Sequence, residues 1–121
     1  SLATCLEEAM GDRDVTLIAG ILDDKPYRGI LETLLPKCRK AILTSPKIYR
    51  ALPAEALRRA AGDLVADMTV IPDVADAVRH AMETAAEKDA ICIAGSLYVV
   101  GEAKAYLEKL GFPAFQRNSG V

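Results

Sequence analysis

The chain has 121 residues, of which 51% are hydrophobic and 26% charged, enough for one domain with a single core and too apolar for a disordered one. Its 15 basic and 17 acidic residues are spread evenly for a formal net charge of −2, and aromatic residues make up only 5%, so neither a basic footprint nor a stacking platform for nucleic acid is present. No apolar run approaches the roughly 20 residues of a membrane-spanning helix, and the first residues do not read as a signal peptide.

In chain order, Leu2, Cys5, Leu6, Ala9 and Met10 fall on one face of a helix that Gly11 ends. Val15 to Ala19 is a short, branched apolar run, read as a strand. Tyr27, Ile30, Leu31, Leu34 and Leu35 then repeat at helical spacing, with Asp24 placed to cap the free amides of the first turn. Ala41 to Leu43 is a second strand, ending at Thr44-Ser45-Pro46. Pro53 opens the next helix and Gly62 lies near its end. Met68 to Ile71 is a third strand, and Asp73 caps a helix that turns Val74, Ala77, Val78, Ala81, Met82 and Ala85 to the core. Ala90 to Ala94 is a fourth strand, followed by a helix marked by Val100, Ala103, Leu107 and Leu110. From Pro113 onward periodicity is lost, so residues 113–121 are expected to be a tail.

Strands alternating with helices imply an α/β fold, a mainly parallel sheet with helices on both faces. Continuously apolar strands agree, since such strands are buried on both sides. Ligands of open parallel sheets bind beyond the carboxyl ends of the strands. Asp23-Asp24-Lys25, Thr44-Ser45 and Gly95-Ser96 all follow such ends, so all three are expected along one rim.

The chemistry of these groups leaves more than one reading open. A glycine after a strand permits a sharp turn or a close approach of backbone to a ligand. Ser96 either caps the following helix or caps it and also donates to an anion at the helix start. Lys25 is a solvated lysine or a contact for carboxylate or phosphate, and Arg50 a surface arginine or a two-pronged carboxylate clamp. Asp23 and Asp24 are candidates for a metal, although capping explains Asp24. Tyr98 borders a pocket or packs under the last helix. His80 reads as a surface residue. Gly95 and Gly101 are one position too far apart for a phosphate-binding loop, and Glu102 stands where that loop needs lysine. Cys5, Cys38 and Cys92 form no C-x-x-C pair; an odd count without zinc spacing suggests a reducing, cytoplasmic compartment, with Cys92 a small buried hydrophobe.

Taken together, a strand followed by G-I-L-D-D-K-P, then L-T-S-P-K-I-Y-R-A-L, then I-A-G-S-L-Y-V-V-G-E resembles the C-terminal domain of the folylpolyglutamate synthase and dihydrofolate synthase family, members of the Mur ligase superfamily. The resemblance covers about residues 2–112 and implies a Rossmann-like domain. It implies an ATP- and Mg2+-dependent ligase that activates a carboxylate of folate or dihydropteroate as an acyl phosphate, which the amino group of glutamate then attacks. ATP would be held mainly by a central P-loop domain of the same protein, while the C-terminal domain closes over the site and excludes water.

By the same resemblance Ser96 contacts the incoming glutamate, Lys25 sits near substrate carboxylate or phosphate, and Arg50 is the rim arginine; Asp24 and Tyr98, from their places in the sequence, are the further substrate-binding candidates. No catalytic residue is expected here. Tyr49 precedes Arg50 where relatives often have proline, and Pro26 follows Lys25 where many have an acidic residue. The family's Asp-Gly-Ala-His-Asn-Pro strand is not found, so residues 1–112 are expected to be an N-terminally incomplete domain, inactive alone. The alternatives are a domain of another Mur-type amino-acid ligase, joining its amino acid to a peptidoglycan precursor, and a non-catalytic anion-binding α/β domain. A phospho-receiver domain is a poor fit, because no strand ends on the aspartate it needs.

Overall fold

The computed structural model describes residues 14–65, 67–85, 89–95 and 97–111. The expected helix over residues 1–11, Ser96 and the tail over 113–121 lie outside the described residues. Four strands are present: β1 (Val15–Gly20), β2 (Lys40–Leu43), β3 (Asp67–Val70) and β4 (Ala90–Gly95). They alternate with helices α1 (Tyr27–Leu34), α2 (Ala54–Ala61), α3 (Val74–Thr84) and α4 (Leu97–Lys109). The sheet order is β3-β2-β1-β4 and every pairing is parallel.

Side-chain alternation along the strands divides the core in two. Val15, Leu17, Ala19, Ala41 and Leu43 pack against Leu31 and Leu34 of α1 and Leu57 and Ala61 of α2. Ile18 and Ile42 pack on the other face against Val74, Ala77, Val78 and Ala81 of α3 and Val99 and Ala103 of α4. Helices on both faces explain why every residue of β1 and β2 is buried.

Local sequence sets the helix ends. Pro36 lacks an amide hydrogen, so α1 passes into a tighter turn, Leu35–Lys37, with Leu35 still in the core. Asp73 caps α3 as expected: the Asp76 amide donates to Asp73 Oδ2 at 2.9 Å. Asp24 does not cap α1. Pro26 occupies that position with no side-chain cap, because the tight turn from Leu22 to Tyr27 leaves Asp24 too early in the chain. Met82, expected in the core, is 37% exposed at the margin of the apolar stripe. Leu110 is likewise exposed, one residue beyond α4.

The chain winds outward from β1 through β2 to β3, then returns to place β4 on the other side of β1. That reversal is the switch point of a doubly wound sheet, where the loops at the strand ends diverge. Gly20 and Gly95 are register partners there. A Cβ on Gly20 would lie 2.8 Å from Val99 Cγ2 and 2.9 Å from the Thr44 carbonyl oxygen, and one on Gly95 only 2.0 Å from the Gly20 oxygen. Gly95 also has φ +123°, a conformation other residues rarely adopt. Gly95→Ala is therefore expected to cost about 3 kcal/mol or more, combining backbone strain with overpacking, and the loss would appear as a lowered denaturant midpoint.

Candidate functional site

Because the strands are parallel and in register, their carboxyl ends form a single rim. Two loops dominate it, residues 21–26 after β1 and 44–53 after β2. They are stitched together by an antiparallel bridge between Leu22 and Ala51, by the Asp23 amide donating to the Arg50 carbonyl at 2.9 Å, and by the Leu52 amide donating to the Ile21 carbonyl at 3.0 Å. A side-chain contact adds to the backbone ones: Arg50 Nη2 lies 2.5 Å from Asp24 Oδ2, and Arg50 Nε 3.8 Å from Asp23 Oδ1.

The rim gathers Asp24, Lys25 and Arg50 as expected. Tyr98, in the first turn of α4, is 51% exposed, so its ring is available at the surface rather than packed beneath the helix. Thr44 and Ser45 are also at the rim, but their hydroxyls face inward. Thr44 is fully buried and donates to the Pro72 carbonyl at 2.9 Å, while Ser45 donates to the Leu52 carbonyl at 3.1 Å. Ser96 follows Gly95 directly in the sequence and lies outside the described residues.

Sequence patterns did not reveal the junction between the β2–α2 loop, α3 and α4. The Lys47 amide donates to Glu102 Oε2 at 2.6 Å, and Lys47 Nζ lies 3.4 Å from Asp73 Oδ1. These residues, with Tyr106 and Lys109, line an open groove of about 410 Å³. No spacing rule joins Lys47 to Glu102, since their meeting depends on β2 and β4 both ending at the rim. Tyr49, between them and Arg50, is 93% exposed.

The thiols are not equipped as nucleophiles. Burial pushes Cys38 up to about 11 and raises Cys92 as well, so both stay protonated near neutrality. Among the described residues there is no group of three His, Cys, Asp or Glu side chains suited to a metal. Among them, too, no helix is long and apolar enough to cross a membrane.

Asp73 links this site to stability. Its carboxyl is held below the usual range chiefly by the Asp76 amide, against a partial opposing effect of burial, with Lys47 adding to the lowering. A depressed folded-state value stabilises above the unfolded value near 3.9 and is lost as pH falls through the folded one. Asp73→Ala should thus cost roughly 1 kcal/mol at pH 7. The gap between variant and parent in thermal unfolding should close as pH falls below about 4.

Comparison with known proteins gives a consistent picture. Residues 1–97 match the model of the Mur ligase family for its glutamate ligase domain. No curated protein matches by sequence. Among solved structures, Escherichia coli FolC in complex with DHPP and ADP aligns at TM-score 0.82 with 22% identity, covering 92% of this chain and 26% of that one. Folylpolyglutamate synthase from Thermotoga maritima aligns at 0.75 with 27% identity, covering 89% and 24%. The bifunctional folylpolyglutamate synthase/dihydrofolate synthase of Yersinia pestis, complexed with AMPPNP and a manganese ion, aligns at 0.74 with 23% identity, covering 88% and 25%. The chain thus spans about a quarter of the length of these relatives.

Proposed function

This chain belongs to the Mur ligase family through its glutamate ligase domain, and from that premise we propose that it is the carboxy-terminal part of an ADP-forming amide ligase. Its substrates in this reading are L-glutamate and a folate or dihydropteroate, joined through an acyl phosphate. The observation that carries the reading is the register pairing of Gly20 with Gly95. It makes the loop bearing Lys25 and the chain that leads to Tyr98 in the first turn of α4 leave the sheet side by side.

Residues 1–112 form the domain in this proposal and 113–121 a tail. ATP and Mg2+ bind mainly in a central P-loop domain of the same protein. Ser96, Lys25 and Tyr98 face the glutamate side, and Asp24 and Arg50 complete that rim. The free thiols of Cys38 and Cys92 suit a reducing compartment such as the cytoplasm.

The test is ADP release by the full-length protein with glutamate and either dihydropteroate or folate supplied. Turnover with a peptidoglycan precursor instead would move the chain to another branch of the same family. Within the proposed reaction, Ser96→Ala should raise the KM for glutamate on the order of tenfold, the worth of a hydrogen bond to a charged group. The KM for ATP should stay nearly constant. A change in thermal stability alone, with both KM values unmoved, would reduce Ser96 to a helix cap.

A further inference from the structure

We propose that Arg50 is a positioning residue rather than a ligand contact: its pair with Asp24 holds the β1–α1 loop in the shape that presents Lys25, the cation that the proposed function puts on the glutamate side. The proposal rests on the ligase reading for the contact of Lys25 with a ligand and for the identity of that ligand as glutamate.

The argument begins with charge. One guanidinium at 2.5 Å from Asp24 and 3.8 Å from Asp23 shares its single positive charge with two carboxylates. An anion approaching Arg50 would meet net negative charge and compete with contacts already made. Lys47 is likewise engaged with Asp73. Of the three cations on the two rim loops, Lys25, Lys47 and Arg50, Lys25 alone has no ion pair among the described residues.

The backbone makes the same division. The Asp23 amide donates to the Arg50 carbonyl, and the Lys25 amide to the Leu22 carbonyl at 3.3 Å, while the Tyr27 amide donates to the Lys25 carbonyl at 2.7 Å. Lys25 therefore leaves a turn fixed on both sides, one of which is anchored by Arg50. Arginine suits the anchoring task because two edges of its planar fork reach two carboxylates, which a lysine ammonium cannot reproduce.

The two roles for Arg50 predict opposite signs for one substitution. If Arg50 were the ligand contact and Asp24 merely restrained it, Asp24→Asn would free the guanidinium and lower the KM for glutamate. If the pair positions Lys25, Asp24→Asn and Arg50→Met should both raise that KM, by roughly three- to tenfold, with kcat and the KM for ATP little changed. The double variant should be no worse than either single one, because both remove the same contact. Arg50→Lys should fail to rescue, and Lys25→Met should raise the KM by about tenfold or more.

These variants are to be measured in the full-length protein, with thermal unfolding of each as a control. If Arg50→Met does not fold, the sign of Asp24→Asn alone decides. A lowered KM in Asp24→Asn, an additive double variant, or an unchanged KM in Lys25→Met would overturn the proposal. If the parent shows no glutamate-dependent ADP release, the ligase reading fails by itself. The same substitutions in the 121-residue chain, titrated with L-glutamate and with inorganic phosphate and followed by the amide resonances of residue 25 and of Tyr27, then decide. A shift present in the parent, weakened in Asp24→Asn and Arg50→Met and lost in Lys25→Met, upholds the positioning role. No shift in the parent, or tighter binding in Asp24→Asn, defeats it.

Discussion

The architecture turns on the absence of side chains where the carboxyl ends of β1 and β4 touch. With Gly95 at φ +123° and its missing Cβ only 2.0 Å from where the Gly20 oxygen lies, the strands approach more closely than any other residue would allow. Gly20 in turn leaves room for Val99 of α4 and for the Thr44 carbonyl at the end of β2. Three strand ends and one helix are thereby drawn together at the switch point. The sharp exit at Gly95 carries the chain into α4, which seats Val99 and Ala103 on Ile18. A constraint on backbone thus becomes a constraint on where rim side chains stand.

The ion pairs of the rim add little stability by comparison. Arg50, Asp23 and Asp24 are each about half exposed, and such pairs are worth about 0–1 kcal/mol. Their value is geometric. Backbone hydrogen bonds already join the two loops, and the guanidinium restricts what remains of their freedom. Lys47 serves similarly between the β2–α2 loop, the start of α3 and the middle of α4, through its amide to Glu102 and its ammonium to Asp73. Ile21 and Leu52 anchor the two loops in the core, and polar groups fix the shape of the segments beyond them.

The fold was legible in the sequence because a parallel sheet buried on both faces leaves unmistakable apolar runs. β1 and β4 extend one residue past the expected Ala19 and Ala94, to the glycines themselves. Asp73 was recognisable as a cap because capping is local, two or three residues from donor to acceptor. The Asp24 cap failed because the turn from Leu22 to Tyr27 puts Pro26 at the cap position, and the Asp24 carboxylate pairs instead with Arg50, distant in sequence. Thr44 and Ser45 looked like rim hydroxyls, yet β2 is flanked by β1 and β3, and a residue leaving a central strand finds neighbours on both sides. The glycines were read as room for a ligand or a turn; the turn is there, but the close approach is to a neighbouring strand.

Polar chemistry differs between the two ends of the sheet. At the amino end, Lys40 is buried at the start of β2 with its ammonium donating to Thr84 Oγ1 at 3.1 Å, and the Thr84 hydroxyl passes its hydrogen to the His80 carbonyl at 2.8 Å. Arg39 there pairs with Asp14 and Asp89. These groups are turned toward one another, as a closed end requires. At the carboxyl end the backbone is equally well bonded, yet Tyr49 and Tyr98 stand exposed and Lys25 has no ion pair among the described residues. Exposed aromatic rings and an unpaired cation do nothing for the stability of the domain itself. Their concentration on the rim that the switch point creates is the asymmetry a binding edge requires, with rigidity supplied by the strands and recognition left to the loops.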